Sequence, residues 1–254
     1  MGLMVKSAAI TDIGKVRDIN EDNYCIYEEN IGLYIVADGM GGHKSGEIAS
    51  ATAIDIIRDH IKSYLTDEFL EQTVKGILFE AFNRANREIY KKSTSDYDCE
   101  GMGTTATVVL IVEDKFYIGH IGDSRAYLFR NKELRQITED HSLVAELVKN
   151  GSITEREAMK HPRKNIITRS LGNDETVKVD IFSMDFKKGD MIILCTDGLT
   201  NFVDKNELQR LLIEEEDCFE VCNNLVSLAN KRGGYDNITV LIVKKQDIST
   251  AEGW

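Results

Sequence analysis

Proline occurs once in the 254 residues, at Pro162, and no stretch is rich in glycine, serine or proline. A flexible linker between domains needs such a stretch, so a single domain over residues 1–254 is expected. Cysteine is scarce as well. Cys25, Cys99, Cys195, Cys218 and Cys222 are odd in number and include no C-x-x-C pair, which argues against a disulfide framework and against a zinc site. None of them has an arginine six positions later, so a cysteine nucleophile in an arginine-closed phosphate loop is excluded. No apolar run reaches the roughly 18 residues of a membrane helix, and the first residues lack the basic and apolar segments of a signal peptide. The expectation is a cytoplasmic protein with no membrane attachment. Positive charge is the last shortage: 31 Lys and Arg against 43 Asp and Glu leave a formal net charge of -12. Nucleic acids and anionic membranes are gripped by cations that neutralise phosphates, so neither partner is expected. The surplus carboxylates can hold cations instead.

What is present is enough for a large core, since 42% of the residues are hydrophobic. Leu70, Val74, Ile77, Leu78, Ala81, Phe82, Ala85 and Ile89 recur at steps of three and four, as do Cys218, Val221, Cys222, Leu225, Leu228 and Ala229. Both patterns predict helices with one apolar face. Leu33 to Val36, Thr104 to Val112, Phe116 to Ile121, Met191 to Cys195 and Ile238 to Val243 are β-branched runs of strand length. Strands and helices come in groups, which favours an α+β layering with two antiparallel sheets between helical layers. From Ser142 to His161 two short helices are expected, the second opened by a Thr154/Glu157 capping box, followed by a polar stretch to Arg169. Residues 142–169 read as an inserted flap, and their Lys160, Arg163, Lys164 and Arg169 form a basic group on an acidic protein. No coiled-coil heptads occur, so a monomer is the default.

Four aspartates follow strand-like runs and precede a turn: Asp38, Asp123, Asp197 and Asp236. Any one of them could simply be making that turn. Four together suggest an oxygen-rich cage for a hard cation, magnesium or manganese, and no Cys or His cluster accompanies them to favour zinc or copper. Two such ions about 4 Å apart can generate hydroxide and clamp the oxygens of an in-line phosphoryl displacement. Phosphoester hydrolysis is the natural reaction. Arg17 stands five residues before Asp22. It could hold two phosphate oxygens while the carboxylate meets a metal, or both could lie in a solvated charged turn.

Seven ordered blocks carry a resemblance: Arg17-x-x-Asn20-Glu21-Asp22, Asp38-Gly39-Met40-Gly41-Gly42-His43, Gly101-Met102-Gly103-Thr104-Thr105, Gly122-Asp123-Ser124-Arg125-Ala126-Tyr127, Asn165 to Gly172, Thr196-Asp197-Gly198-Leu199 and Asp236-Asn237-Ile238-Thr239. In this order, from about Thr11 to Val243, the chain resembles the type 2C, or PPM, Ser/Thr phosphatases. Its Gly-Met-Gly-Gly-His form is similar to the stand-alone bacterial branch, which often opposes Ser/Thr kinases. The resemblance implies a four-layer α-β-β-α sandwich acting on phosphorylated proteins. It also implies that Asp38 bridges two metals, that Asp197 and Asp236 complete the first, and that Asp22 with the Gly39 carbonyl completes the second. Asp123 and Asp197 would share a third, weaker ion. Arg17 matches the phosphate-binding arginine. His43 matches a histidine that either protonates the leaving group or orients water, and Asp22 is preferred to Glu21 as the ligand.

Two other motifs fail. Gly101 to Ala106 fits a dinucleotide fingerprint but leads into a strand, and Gly41 to Ser45 lacks the glycine a P-loop needs before Lys44. His60, His120, His141 and His161 are scattered singly and read as structural. A non-catalytic reader of phosphoproteins and a hydrolase of small phosphoesters are the competing functions.

Overall fold

The computed structural model describes residues 4–29, 31–41, 45–64 and 71–246. One antiparallel sheet runs in the order β1 (Val5–Asp12), β11 (Ile238–Lys245), β10 (Met191–Cys195), β7 (Arg125–Arg130) and β8 (Glu133–Gln136). The second runs β2 (Asp22–Glu28), β3 (Gly32–Met40), β5 (Ala106–Val112), β6 (Lys115–Ile121) and β9 (Asp180–Asp185), with the two-residue β4 (Gly103–Thr104) paired to the end of β3. All pairings are antiparallel.

Alternation along each strand divides the apolar side chains among three cores. On β3, Leu33, Ile35 and Ala37 face helices α1 (Ser45–Ser63) and α2 (Glu71–Ser95), while Tyr34 and Val36 face the other sheet. On β11, Val240 and Ile242 face α6 (Lys205–Glu214) and α7 (Cys218–Lys231), while Leu241 and Val243 face β3 and its neighbours. The architecture is an α+β sandwich of helix, sheet, sheet and helix. A strand in the middle of such a stack is covered on both faces. That is why β5 reads Ala-Thr-Val-Val-Leu-Ile-Val with every residue buried.

The two helices expected from their periodicity are α2 and α7, with Leu70 of the first pattern outside the described residues. The Ser142–Arg169 insertion also carries the expected pair: α3 (Leu143–Lys149), capped by the Ser142 side chain, and α4 (Glu155–Ala158), with the Thr154/Glu157 box closed in both directions. Two details differ from expectation. Thr104 to Val112 is not one strand but β4 and β5, because Thr105 between them donates its N–H to the Asp38 carbonyl (2.9 Å) and accepts the Asp38 N–H on its hydroxyl (2.9 Å). Asp38 itself lies within β3, not beyond its end, since pairing with β4 carries that strand on to Met40. Among the described residues no helix is long and apolar enough to cross a membrane.

Candidate active site

The acidic side chains collect where the two sheets meet at one end. Asp22 opens β2 directly opposite Asp38 on β3. From the other sheet, Asp197 heads the short helix α5 (Asp197–Thr200) after β10, and Asp236 precedes β11. Asp123 sits in the turn between β6 and β7. Gly122 adopts φ +109° there, and a Cβ on it would lie 2.5 Å from the Thr105 side chain. Glycine is required at that position.

Burial and mutual repulsion raise four of these acids, Asp22, Asp38, Asp123 and Asp197. Asp38 is pushed well above the usual carboxylate range, first by burial and then by Asp22, Asp197, Asp123 and Asp236. Burial raises Asp22 to about 7, against the two hydroxyl bonds that hold it down, and raises Asp123 to about 8 with Asp197 and Asp140 adding to it. Asp197 rises to about 6 through burial and Asp236, while Asn201, Lys164 and Arg125 pull the other way. Asp123 Oδ1 is buried with no hydrogen-bond partner. Oxygen donors only, crowded and short of positive charge, suit a hard divalent cation.

Three of the other carboxylates, those of Asp22, Asp197 and Asp236, are engaged. Asp22 Oδ2 accepts the hydroxyls of Thr196 (2.8 Å) and Thr239 (2.7 Å), which fastens one sheet to the other. Asp197 Oδ2 takes the Asn201 amide at 3.1 Å. Arg17 Nη2 lies 2.9 and 3.0 Å from the two oxygens of Asp236. With the carboxylates turned to these partners, no three His, Cys, Asp or Glu side chains among the described residues close on one point as they stand.

Of the expected site residues, Arg17, Asp22, Asp38, Gly39, Asp123, Asp197 and Asp236 fall in this region, and His43 lies outside the described residues. Gly39 is held by contact: a Cβ would stand 2.0 Å from the Gly46 carbonyl oxygen and 2.7 Å from that of Glu21. Glu21, ranked below Asp22 from the sequence, is buried with Oε1 lacking a partner, although the Gly46 amide nearby offsets some of the burial that raises its pKa. Behind the acids, Thr105 and Ser124 share a hydroxyl bond of 2.8 Å.

The comparisons with known proteins decide the family. Residues 16–241 match the protein phosphatase 2C model. The chain belongs to the protein phosphatase 2C family. A serine/threonine phosphatase from Listeria monocytogenes is 42% identical over 240 residues, covering 92% of this chain and 94% of its own. The S. agalactiae serine/threonine phosphatase superimposes with a TM-score of 0.89 at 38% identity, over 95% of this chain and all of that one. The catalytic domain of PstP, solved in complex with two manganese ions, gives a TM-score of 0.85 at 34% identity, over 96% and 99% of the two chains. The present protein is accordingly a protein serine/threonine phosphatase.

In this phosphatase the segment 142–169 is tied down at both ends, in part by groups the sequence did not single out. The His141 carbonyl accepts the Thr168 N–H (2.8 Å), its Nδ1 accepts the Gly122 N–H (3.0 Å), and its Nε2 meets Asp180 Oδ2 at 3.0 Å. Arg169 also reaches Asp180, and Lys164 donates to Asn201. Two members of the expected basic group are therefore already engaged. His141 lies at the border of this segment but 19 positions from Gly122 in the chain, so the sequence, which read it as structural, held no signal for this arrangement.

The raised carboxylates set a pH dependence for the chelated phosphatase. Their unfolded values lie near 4, so between there and about 8 the folded state binds more protons, and stability falls as pH rises. His120, lowered to about 3 by burial, and His141, also lowered, act in the opposite sense below about 6.5. In EDTA the melting temperature should therefore rise on acidification from pH 8 to 6.5. A flat or falling profile over that interval would mean that these acids do not burden the metal-free fold.

Proposed function

We propose that this phosphatase hydrolyses phosphoserine and phosphothreonine in proteins by direct attack of water, using divalent metal, within a single catalytic domain over residues 1–254. The observation that carries this reading is Asp38, confined among Asp22, Asp123, Asp197 and Asp236. Magnesium or manganese, as two closely coupled ions and a weaker third, would supply the hydroxide and neutralise charge on the phosphoryl oxygens. Asp38 would bridge the first two ions, with Asp197 and Asp236 on one side and Asp22 with the Gly39 carbonyl on the other. Asp123 and Asp197 would hold the third. The partnerless Glu21 oxygen makes Glu21 the rival for the place of Asp22. Fewer ions bound by Glu21→Gln than by Asp22→Asn in calorimetric titration would assign the place to Glu21.

Arg17 would leave Asp236 to hold two oxygens of the incoming phosphate. Arg17→Ala should raise KM for phosphopeptides about tenfold, since it removes a charge-assisted contact made before chemistry. The metal requirement should not increase, because the substitution also frees Asp236. An unchanged KM would contradict the role. His43 is proposed, from the motif it ends, to protonate the departing alkoxide or orient the attacking water. The flap, residues 142–169, would meet the protein part of the substrate, and a Ser/Thr kinase would supply the phosphorylated protein.

The test is hydrolysis of phosphoserine and phosphothreonine peptides in 18O-labelled water, with and without metal. One solvent oxygen in each released phosphate, no phosphorylated enzyme on acid quench, and loss of turnover in chelator that added manganese restores would bear the proposal out. Full activity after exhaustive chelation would overturn it.

A further inference from the structure

Beside the proposed phosphate site two loops are laced together with a regular alternation. Lys15 N–H donates to the Gly234 carbonyl at 2.7 Å, and Arg17 pairs with Asp236. Asn237 Nδ2 donates to the carbonyls of both Ile13 and Ile19, closing the first loop at each end. Gly14 approaches so closely that a Cβ would stand 2.3 Å from the Asp236 carbonyl oxygen. Residues 13, 15, 17 and 19 are thus the ones tied to residues 234–237. Val16 and Tyr235 lie between the Lys15/Gly234 rung and the Arg17/Asp236 rung, and neither is turned inward.

Both are large, apolar and open to solvent: Val16 is 59% exposed and Tyr235 65%. Ile13 at the loop entrance is 39% exposed. The Tyr235 ring leans on Phe202, centroids 5.6 Å apart, and Phe202 follows the Asn201 that holds Asp197. Apolar surface that is exposed and yet carried on main chain held by the backbone bond of Lys15 to Gly234 on one side and the ion pair of Arg17 with Asp236 on the other has little backbone freedom left to lose, so a partner gains from covering it at little ordering cost.

We propose that Val16 and Tyr235 form an apolar shelf beside Arg17 that takes an apolar side chain one or two residues from the phosphorylated serine or threonine of a protein substrate. The inference rests on the substrate phosphate docking at Arg17. An extended peptide advances about 3.3–3.6 Å per residue, so with its phosphate on Arg17 the positions one or two residues away come within reach of Val16, next to Arg17, and of Tyr235, next to the Asp236 that Arg17 pairs with. Leu, Ile, Met or Phe would remove apolar surface from water on both sides, whereas an uncharged polar neighbour would cover Val16 and Tyr235 without that gain.

The test compares two sets of phosphoserine peptides, identical except for Leu or Gln placed in turn at each of the two positions before and the two after the phosphoserine. The wild-type enzyme should favour leucine in kcat/KM by about fivefold or more for at least one position. Val16→Ser and Tyr235→Ser should each shrink that ratio, and the double variant should bring it near one. Because the ratio is taken within each protein, a loss of folded enzyme cancels. Tyr97→Ser, at a tyrosine 89% exposed, should keep the wild-type ratio. A wild-type ratio of one at every position, or a ratio that survives the double variant, would overturn the shelf. So would a Tyr235→Ser variant that changes only sedimentation, from dimer to monomer, since the patch would then be a self-association face. Failure to hydrolyse any of the phosphopeptides, with either residue flanking, would instead sink the functional reading beneath it.

Discussion

Asp38→Asn is expected to lower turnover on the order of a thousandfold or more at any concentration of added manganese. Loss of a single preorganised group aimed at developing charge commonly costs a hundred- to a thousandfold. Here the lost group is also the one proposed to be shared between two ions, so the source of the nucleophile goes with it. Asparagine keeps the shape of the side chain and leaves untouched the backbone bonds of Asp38 to Thr105. It also removes one charge from a place where Asp22, Asp197, Asp123 and Asp236 all oppose ionisation. The metal-free variant should therefore melt higher than metal-free wild type at pH 8, while binding fewer ions in titration. This opposed pair of changes separates a chemical defect from a folding defect. An Asp38→Asn protein that kept a tenth of wild-type turnover would show that the bridge lies elsewhere.

Gly198→Ala is expected to damage both stability and activity by forcing two backbones apart. A Cβ on Gly198 would stand 1.9 Å from the Asn237 carbonyl oxygen, against main chain that no rotamer change can clear. Overpacking of this kind costs about 1–3 kcal/mol and occasionally more. The separation would fall between Asp197 and Asp236, the neighbours of the colliding residues, so turnover should drop roughly a hundredfold, as for a misplacement on the order of 1 Å. Gly76→Ala in α2 is the matching control. Nothing lies within 4 Å of its Cβ position, so there the helix should gain about 0.5–1 kcal/mol. Thermal melting and steady-state kinetics on the two variants would check both signs.

The parts of the fold that repeat were legible in the sequence. Val74 to Ile89 declared α2, Cys218 to Ala229 declared α7, and the Thr154/Glu157 box placed the start of α4 to the residue. Helix α1 went unannounced because only its second half, Ile54, Ile57 and Ile61, carries large apolar side chains, while its first half buries Ser45, Gly46, Ala49, Ser50 and Ala53, whose small side chains give a weak apolar signal. Thr105 looked like an ordinary strand residue, and only the fold reveals that it serves the main chain of Asp38. For the site, the aspartates stood out through their motifs, whereas the groups that orient them did not. Thr196, Thr239 and His141 belong to commonplace residue types, and their importance comes from contacts across 174, 217 and 19 positions of chain, which no local pattern carries. The Arg17 to Asp236 pairing was hidden for the same reason, although each residue was picked out separately.

The place of β11 has a consequence for when the protein can act. It lies between β1 and β10, and β1 has no other hydrogen-bonded neighbour in its sheet. Arg17 and Asp22 follow directly from β1, while Asp236 arrives just before β11. A chain still emerging from the ribosome therefore carries Arg17 and Asp22, two residues of the proposed site, without the strand that pairs with β1 and without Asp236. On the proposed assignment of the site, activity is expected only once β11 has joined the sheet, so a nascent chain should not strip phosphate from its surroundings. The same geometry makes the final strand a natural place to divide the protein: a phosphatase lacking residues 235–246 should stay silent until that segment is supplied as a separate peptide.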